Sequence, residues 1–101
     1  MKTLKQIPQA WKEVSDLFVA LGDEHRQRIL LAFEPGERLN IGQIVAASVL
    51  SRTAVTHHLK VLQQGGVLQS EKVGKEVYFW LDKDSMIDGL QCVLDYIKTQ
   101  I

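Results

Sequence analysis

The spacing of apolar residues changes twice along this chain, and that change strongly limits the folds it can adopt. Up to about Gly65 and Gly66, apolar residues recur at i, i+3 and i+4, as in amphipathic helices. The segments Val67–Lys72 and Val77–Leu81 are instead rich in Val, Tyr, Phe and Trp and flank Gly74, which predicts a β-hairpin. Helical spacing then returns near the end, at Met86, Leu90, Val93, Leu94 and Ile97. The pattern predicts a mainly α-helical fold with one small hairpin, in the order α-α-α-α-β-β-α.

Turn and capping residues divide the first part of the chain into four helices. The first runs from about Gln9 to Leu21, with Pro8 suited to its first turn and Gly22 at its end. Asp23 is the candidate cap of the second helix, and Asn40 with Gln43 that of a third helix from Ile41 to about Ser48. Ser51 is the candidate cap of the fourth helix, RTAVTHHLKVLQQ. Asp84 is the candidate cap of the last helix, which follows the hairpin.

Length and composition predict one folded domain over residues 1–101. The chain has 46% apolar residues and 12 basic against 12 acidic residues, so its net charge favours no partner. One cysteine excludes a disulfide within the chain. No apolar run approaches the roughly 18 residues of a membrane span, and the first residues have no apolar stretch like that of a signal peptide. We therefore expect a small cytoplasmic protein with no membrane partner.

The two short helices before the hairpin are joined by so few residues that they must cross steeply, as in a helix-turn-helix. On the second of them, Val55, Leu59 and Leu62 share one face and can pack on the first. The opposite face carries Arg52, Thr53, Thr56, His57 and Lys60. Nearly all of these side chains can form hydrogen bonds and none is acidic, which suits a surface that meets DNA phosphates and base edges. A merely solvated helix face is the alternative interpretation.

The hairpin that follows predicts a wing, which would make the fold a winged helix-turn-helix. It carries Lys72 and Lys75, which could lie along a neighbouring groove or phosphate backbone. The hairpin could instead simply cover the core through Val77, Phe79 and Leu81, and both interpretations can hold together. Residues 52–76 hold four Lys or Arg against two Glu, so a modest positive zone coincides with these elements.

Two stretches of the chain resemble the ArsR/SmtB family of bacterial winged-helix repressors. LGDEHRQRILLAF is similar to the family pattern L-x-D-x-x-R-x-x-I-L, through Leu21, Asp23, Arg26, Ile29 and Leu30. LSRTAVTHHLKVLQQGGVL is similar to the pattern L-S-x-x-A-V-S-H-H-L-K-x-L, and its H-H-L-K core is specific. The resemblance covers roughly residues 17–82. It departs at Val49, where the family often has Gly in a tight turn, so either the turn takes another shape or some strain is stored.

The resemblance implies a homodimer in which the first and last helices pair across a two-fold axis. The apolar stripe on the last helix agrees, because a chain of 101 residues can hardly bury all of it internally. The expected interface residues are Trp11, Val14, Met86, Leu90, Val93, Leu94 and Ile97. Such a dimer would read a palindromic operator in double-stranded DNA, with half-sites about one helical turn (~34 Å) apart or a multiple of it. A last helix packed only on its own domain is the alternative.

Many members of this family release DNA on binding a metal, but the ligands of two known family sites are missing here. Asn40, Ile41 and Gly42 stand where one site has Cys-Val-Cys. The other site uses Asp and His ligands along the last helix, where Asp84, Asp88 and Asp95 are present but residues 82–101 contain no His. Carboxylates alone would not make a convincing Zn²⁺ or Ni²⁺ site. We therefore expect no metal site and no cofactor.

The histidines and the cysteine have other expected roles. His57 is expected to contact DNA, His58 to be a packed histidine with a hydrogen-bonded nitrogen, and His25 to lie on the surface. Cys92 stands among apolar residues of the last helix, so we expect a buried structural thiol, with an intersubunit redox switch as the alternative. The inducer stays open between an oxidant acting at Cys92, a small molecule in the dimer cleft, and none.

Motifs of catalysis are missing from the sequence, which has no G-x-S-x-G, P-loop or metalloprotease signature. The sequence therefore predicts a homodimeric DNA-binding transcriptional repressor and not an enzyme. Arg52, Thr53, Thr56 and His57 would reach base edges, while Lys60, Lys72 and Lys75 would contact phosphates. The alternative is a winged-helix interaction module that no longer binds DNA, which the zero net charge keeps open.

Overall fold

The computed structural model describes residue 1, residue 3 and residues 5–101. The helices are α1 (Gln9–Leu21), α2 (Glu24–Ala32), α3 (Ile41–Ala46), α4 (Arg52–Gln64) and α5 (Lys83–Gln100), and the strands are β1 (Leu39–Asn40), β2 (Leu68–Val73) and β3 (Glu76–Leu81). The predicted order of four helices, a hairpin and a last helix is confirmed, with the short strand β1 added before α3. Over the described residues, no helix combines the length and hydropathy needed to cross a membrane.

β3 is the central strand of one antiparallel sheet with the order β1-β3-β2. β2 and β3 form the predicted hairpin, which closes at the pair Val73 and Glu76. On the other edge of β3, Leu39 pairs with Phe79, and Asn40 extends the pairing by one residue. Because Asn40 is also the N-cap of α3, this pairing ties the start of the helix-turn-helix to the hairpin.

The helix starts predicted from Asp23, Asn40 and Ser51 are confirmed. The side-chain oxygen of each accepts a hydrogen bond from the backbone N–H three residues later, at 3.1, 2.8 and 3.1 Å respectively. Asn40 and Gln43 form a reciprocal capping box, because the Asn40 N–H also donates to Gln43 Oε1 at 2.9 Å. Local hydrogen bonding therefore sets where α2, α3 and α4 begin.

The predicted N-cap of the last helix, Asp84, was wrong. Asp82 is its N-cap and accepts a hydrogen bond from the Ser85 N–H at 3.1 Å, while Asp84 lies inside the first turn of α5. Two acidic residues two positions apart give the same sequence signal. The hydrogen bond from the Asp82 N–H to the Val67 carbonyl, at 2.8 Å, helps to place Asp82 at the cap. At α1 the difference is smaller, since Pro8 takes the N-cap position and does not lie within the first turn.

The turns differ in detail from the sequence expectations. The hairpin turn has two residues, Gly74 and Lys75, and Gly74 has the positive φ of 63° that a type II′ turn needs at its first position. Val49 does not adopt a positive φ, and no other described residue except glycine does. The connection between α3 and α4 therefore takes a shape that β-branched Val49 accepts without backbone strain, and its side chain is 99% exposed.

Helix α1 packs against both α4 and α5, and a glycine lies at each contact. A Cβ atom added at Gly65 would lie 2.6 Å from the Ala20 Cβ and 2.7 Å from the Asp16 carbonyl oxygen. A Cβ atom added at Gly89 would lie 2.8 Å from the Leu17 Cδ2. These distances are shorter than packed carbon atoms tolerate, so both close approaches depend on the missing side chain.

We expect Gly65→Ala to lower the free energy of unfolding by about 1–3 kcal/mol, because the added methyl group overpacks the contact between α1 and α4. Gly65 has a φ of −79°, so the substitution adds no backbone strain of its own. Gly42→Ala is the matched control, since its Cβ would meet only Asn40 Oδ1 at 3.4 Å and alanine favours the helix. Urea unfolding measures both variants. A Gly65→Ala protein as stable as the wild type would contradict the close contact.

Candidate nucleic-acid interface

Helix α4 presents two chemically different faces, as its sequence predicts. Val55, Leu59 and Leu62 are buried in the core. The opposite face carries the exposed side chains of Arg52, Thr53, His57 and Lys60, with the half-buried Thr56 between them. The burial pattern thus confirms the predicted division of the helix into a packed face and an outward face, which we call the reading face (Arg52, Thr53, Thr56, His57 and Lys60).

The side chains of the reading face line one shallow concavity on the surface. Two of them, Arg52 and Lys60, are basic residues, and none is acidic. The N-terminal end of α4, where the helix dipole is positive, lies at Ser51 beside Arg52 and adds to the attraction for anions. The geometry therefore offers hydrogen-bond donors and positive charge along one helix edge.

Thr56 has a constraint that the sequence did not reveal. Its Oγ1 donates a hydrogen bond to the Arg52 carbonyl at 2.8 Å, so the hydroxyl proton is used within the helix. What Thr56 can still offer to an outside partner is the lone pairs of the hydroxyl and the methyl group. A methyl group of this kind suits contact with the methyl group of thymine.

The hairpin places Lys72 on β2 and Lys75 in the turn, both exposed. Neither takes part in the ion pairs found among the described residues, which are Arg28 with Glu24 and Arg38 with Glu71. Both lysine charges therefore remain available at the tip of the wing.

Arg38 supports the base of the wing and was missed by the sequence analysis. Its Nη1 lies 2.8 Å from Glu71 Oε2 on β2, and its guanidinium lies 4.0 Å from the centre of the Trp80 ring on β3. One arginine therefore contacts both strands of the hairpin and offsets the charge of Glu71, the acid next to Lys72. No local pattern could signal this pairing, because Arg38 and Glu71 are 33 residues apart.

Comparison with known proteins places this arrangement in a family. The family model described as "Bacterial regulatory protein, arsR family" matches residues 23–70. The cadmium resistance transcriptional regulatory protein CadC of Listeria innocua serovar 6a is 31% identical over 86 residues, which are 82% of this chain and 70% of that protein. The chain belongs to the ArsR family. The transcriptional repressor SdpR of Bacillus subtilis is also similar to this ArsR-family regulator, with 26% identity over 85 residues, 84% of this chain and 93% of its own length.

Solved structures confirm the winged helix-turn-helix fold of this ArsR-family regulator. The ArsR-like transcriptional regulator from Rhodococcus sp. RHA1 superposes with a TM-score of 0.79 at 26% identity, over 92% of this chain and 86% of that one. Mb0332 from Mycobacterium bovis, described as a homodimeric winged helix-turn-helix DNA-binding domain, gives a TM-score of 0.70 at 18% identity, over 98% and 94%. The family consists of transcriptional regulators, so the prediction that the protein is not an enzyme is confirmed.

The three histidines of the regulator lie close together, and one of them, His57, belongs to the reading face. His58 Nδ1 lies 3.2 Å from Arg26 Nη1, which confirms the predicted packed histidine with a hydrogen-bonded nitrogen. Its ring centre is 5.8 Å from that of His25 and 5.6 Å from that of His57. Burial lowers the pKa of His58, and the carboxylate of Asp23 opposes part of that shift. His25 is half-buried, so the expectation of a simple surface residue was only partly right.

The seven residues predicted for the dimer interface fall into three groups in the ArsR-family chain. Val14 and Val93 are buried within one protomer, and Trp11 and Met86 are half-buried. Leu90, Leu94 and Ile97 are 43–45% exposed on α5. The last group therefore forms an apolar surface that the protomer itself leaves uncovered.

Cys92 is exposed, so the expectation of a buried structural thiol was wrong. α5 packs against α1 through the face that contains Val93, and the adjacent position is rotated by about 100° on a helix, which turns Cys92 outward. Within residues 1, 3 and 5–101, no three His, Cys, Asp or Glu side chains lie close enough together to bind one metal ion.

A cavity of about 480 Å³, not expected from the sequence, lies between α2, α3 and the turn at Val49. Ile29 and Ile44 form part of its apolar lining. Gln43 and Arg28 also line it, but their side chains already bond within the chain, in the α3 capping box and to Glu24. The cavity thus offers apolar surface with few unbonded polar groups to orient a ligand.

Proposed function

We propose that this ArsR-family protein is a homodimeric repressor that reads a palindromic DNA operator with α4 and the β2–β3 hairpin. The observation that carries the proposal is the reading face, an outward helix edge with hydrogen-bonding side chains, two basic residues and no acid. DNA requires this chemistry, because its backbone is anionic and its major groove presents donors and acceptors. The repressor role is supported by the relative SdpR, which is a transcriptional repressor.

The residues of the interface divide by what each can reach. Arg52 and His57 can donate to acceptor atoms on base edges, with Arg52 suited to guanine. Thr53 and Thr56 add hydroxyl and methyl contacts within the same groove. Lys60 lies at the far end of the reading face, and the wing lysines Lys72 and Lys75 lie on the hairpin, so we assign these three to phosphates. Base contacts from four residues would then decide specificity.

Homodimerisation is proposed through α1 and α5. The apolar surface of Leu90, Leu94 and Ile97 is uncovered in the protomer, and a second copy would bury it. Trp11 on α1 gives separate support, because its Nε1 is buried with no hydrogen-bond partner among the described residues. An unsatisfied buried donor costs about 1–3 kcal/mol, so an acceptor from a second subunit would be stabilising.

Regulation by a metal is not transferred from relatives such as CadC. Asn40 and Gly42 stand where the resemblance places two thiolate ligands at the start of α3, and the chain has a single cysteine. We propose that residues 1–101 form one DNA-binding domain that acts on chromosomal DNA in the cytoplasm. Its inducer is then something other than a metal bound at either of the two family metal sites. Exposed Cys92 and the dimer cleft stay open as places where that inducer acts.

The direct test is a gel-shift experiment. Purified protein would be mixed with promoter fragments from its own operon and with duplexes recovered by selection from a randomised pool. We expect selection to converge on a palindromic sequence, and we call the tightest member the selected duplex. Binding to no duplex at low salt would contradict the proposal and favour the protein-interaction module.

Arg52→Ala and Lys75→Ala should separate base reading from phosphate contact. Arg52→Ala is expected to cost about 1–3 kcal/mol on the selected duplex and to relax preference at one base pair of each half-site. Lys75→Ala should weaken binding to all duplexes alike and reduce the slope of log K against log salt by about 0.9. Fluorescence anisotropy at several salt concentrations measures both effects. Uniform weakening by Arg52→Ala, or an unchanged salt slope for Lys75→Ala, would remove that residue from its assigned role.

Leu94→Glu should weaken dimerisation about ten-fold or more, because it places a charge in the apolar surface of α5. The matched control is Leu31→Glu on α2, where an even more exposed leucine (77%, against 43% for Leu94) is replaced outside α1 and α5. Sedimentation velocity over a concentration series measures the monomer–dimer equilibrium. Equal dimerisation of the two variants would place the interface elsewhere.

A further inference from the structure

The guanidinium of Arg26 joins two helices other than its own. Its Nε donates to the Ala20 carbonyl at 3.1 Å and its Nη2 to the Val19 carbonyl at 2.9 Å, both in the last turn of α1. Its Nη1 lies 3.2 Å from Nδ1 of His58, in the middle of α4. The planar fork of arginine can bond in these three directions at once, which a lysine ammonium on a flexible stem cannot reproduce. One side chain therefore connects the end of α1 with the recognition helix.

The end of α1 needs such a partner. The last carbonyls of a helix receive no N–H from a following helical turn, and α1 has no basic residue in its own last turn. The Gly22 N–H donates to the Val19 carbonyl at 3.3 Å, and the neighbouring carbonyls accept from side chains. Arg26 supplies the cation from α2, and the neighbouring Gln27 donates to the Leu21 carbonyl at 2.7 Å. The C-terminal end of α1 is thus completed by side chains of the next helix, and the link to His58 forms part of that cap.

The contact requires the neutral form of His58. Arginine can only donate, so Nδ1 of His58 must accept, and the neutral ring must carry its proton on Nε2. Burial lowers the pKa of His58, Asp23 acts in the opposite sense, and the cationic forms of Arg26, His57 and His25 lower it further. The structure therefore favours the form of His58 that can accept.

We propose that Arg26 is a positioning residue for DNA binding, which holds α4 at a fixed angle to α1 by donating to neutral His58. This inference rests on the proposed function. α1 carries Trp11 of the expected dimer surface and meets α4 again at Gly65, so the orientation of each reading face relative to the two-fold axis depends on this helix pair. Loss of the Arg26 link would leave the reading residues unchanged but let their helix move.

The test compares three variants by their affinity for the selected duplex at pH 7.5. Arg26→Lys keeps the charge but not the fork, and we expect affinity to fall roughly ten-fold. His58→Asn places an amide oxygen near the position of Nδ1, so affinity should stay close to that of the wild type. Arg28→Lys is the matched control, because among the described residues Arg28 bonds only to Glu24 and His25, both on its own helix. Circular dichroism checks that each variant is folded.

The pH profile separates positioning from a merely structural role. Since the pKa of His58 is lowered from 6.5, the accepting form is complete above that pH and is lost as the pH falls through the lowered value. Wild-type affinity should therefore decline in acid relative to His58→Asn, which has no such titration. His25 and His57 are present in both proteins, so the difference between the two profiles belongs to His58.

Parallel pH profiles for wild type and His58→Asn, or an unchanged affinity for Arg26→Lys, would overturn the inference while the proposed function stands. Absence of any DNA binding by the wild type would overturn both. Should Arg26→Lys fail to fold, the nitrogen chemical shifts of the wild-type His58 ring decide the matter. A proton on Nε2 above pH 6.5 supports the link, and a proton on Nδ1 excludes it.

Discussion

The architecture depends on how closely α1 approaches its two neighbours. Gly65 lets the end of α4 reach Ala20, and Gly89 lets α5 reach Leu17. α1 therefore stands between the helix that presents the reading face and the helix that presents the uncovered apolar surface. In a packed interior, displacement of one helix is passed on because voids are not tolerated. This makes α1 the physical connection between any dimer axis formed by α5 and the DNA-reading helix.

Features with local causes could be predicted from the sequence. Caps at Asp23, Asn40 and Ser51 involve partners only three residues away, so a short window contains the whole interaction. The turn at Gly74 follows from one residue that accepts positive φ. The two faces of α4 follow from helical periodicity. The family resemblance followed from this segment together with the stretch from Leu21 to Phe33, and both lie largely within the residues that the family model matches.

Features with distant causes could not be predicted in the same way. Strand β1 has two residues and no periodicity, and it exists only because β3 offers a free edge at Phe79. Arg38 bonds Glu71 and Arg26 bonds His58 across 33 and 32 residues, so neither pairing leaves a local signal. Cys92 was misplaced for a related reason. Apolar neighbours in sequence say that a helix has a buried side, but only the packing of α1 shows which side it is.

A net charge of zero is compatible with DNA binding when the charges are separated along the surface. At physiological ionic strength a charge is screened beyond about 8 Å, so the absence of acids from the reading face affects Arg52 and Lys60 more than the net charge of the whole chain does. The same separation limits the number of phosphates the protein can neutralise, because the candidate face and wing offer only a few cations. Non-specific affinity rises with that number, so it should be low for this protein. Recognition then has to come from base contacts. Base contacts require a recognition helix held at a fixed angle. A rigid link such as that of Arg26 to His58 therefore has its greatest effect in a protein of this kind.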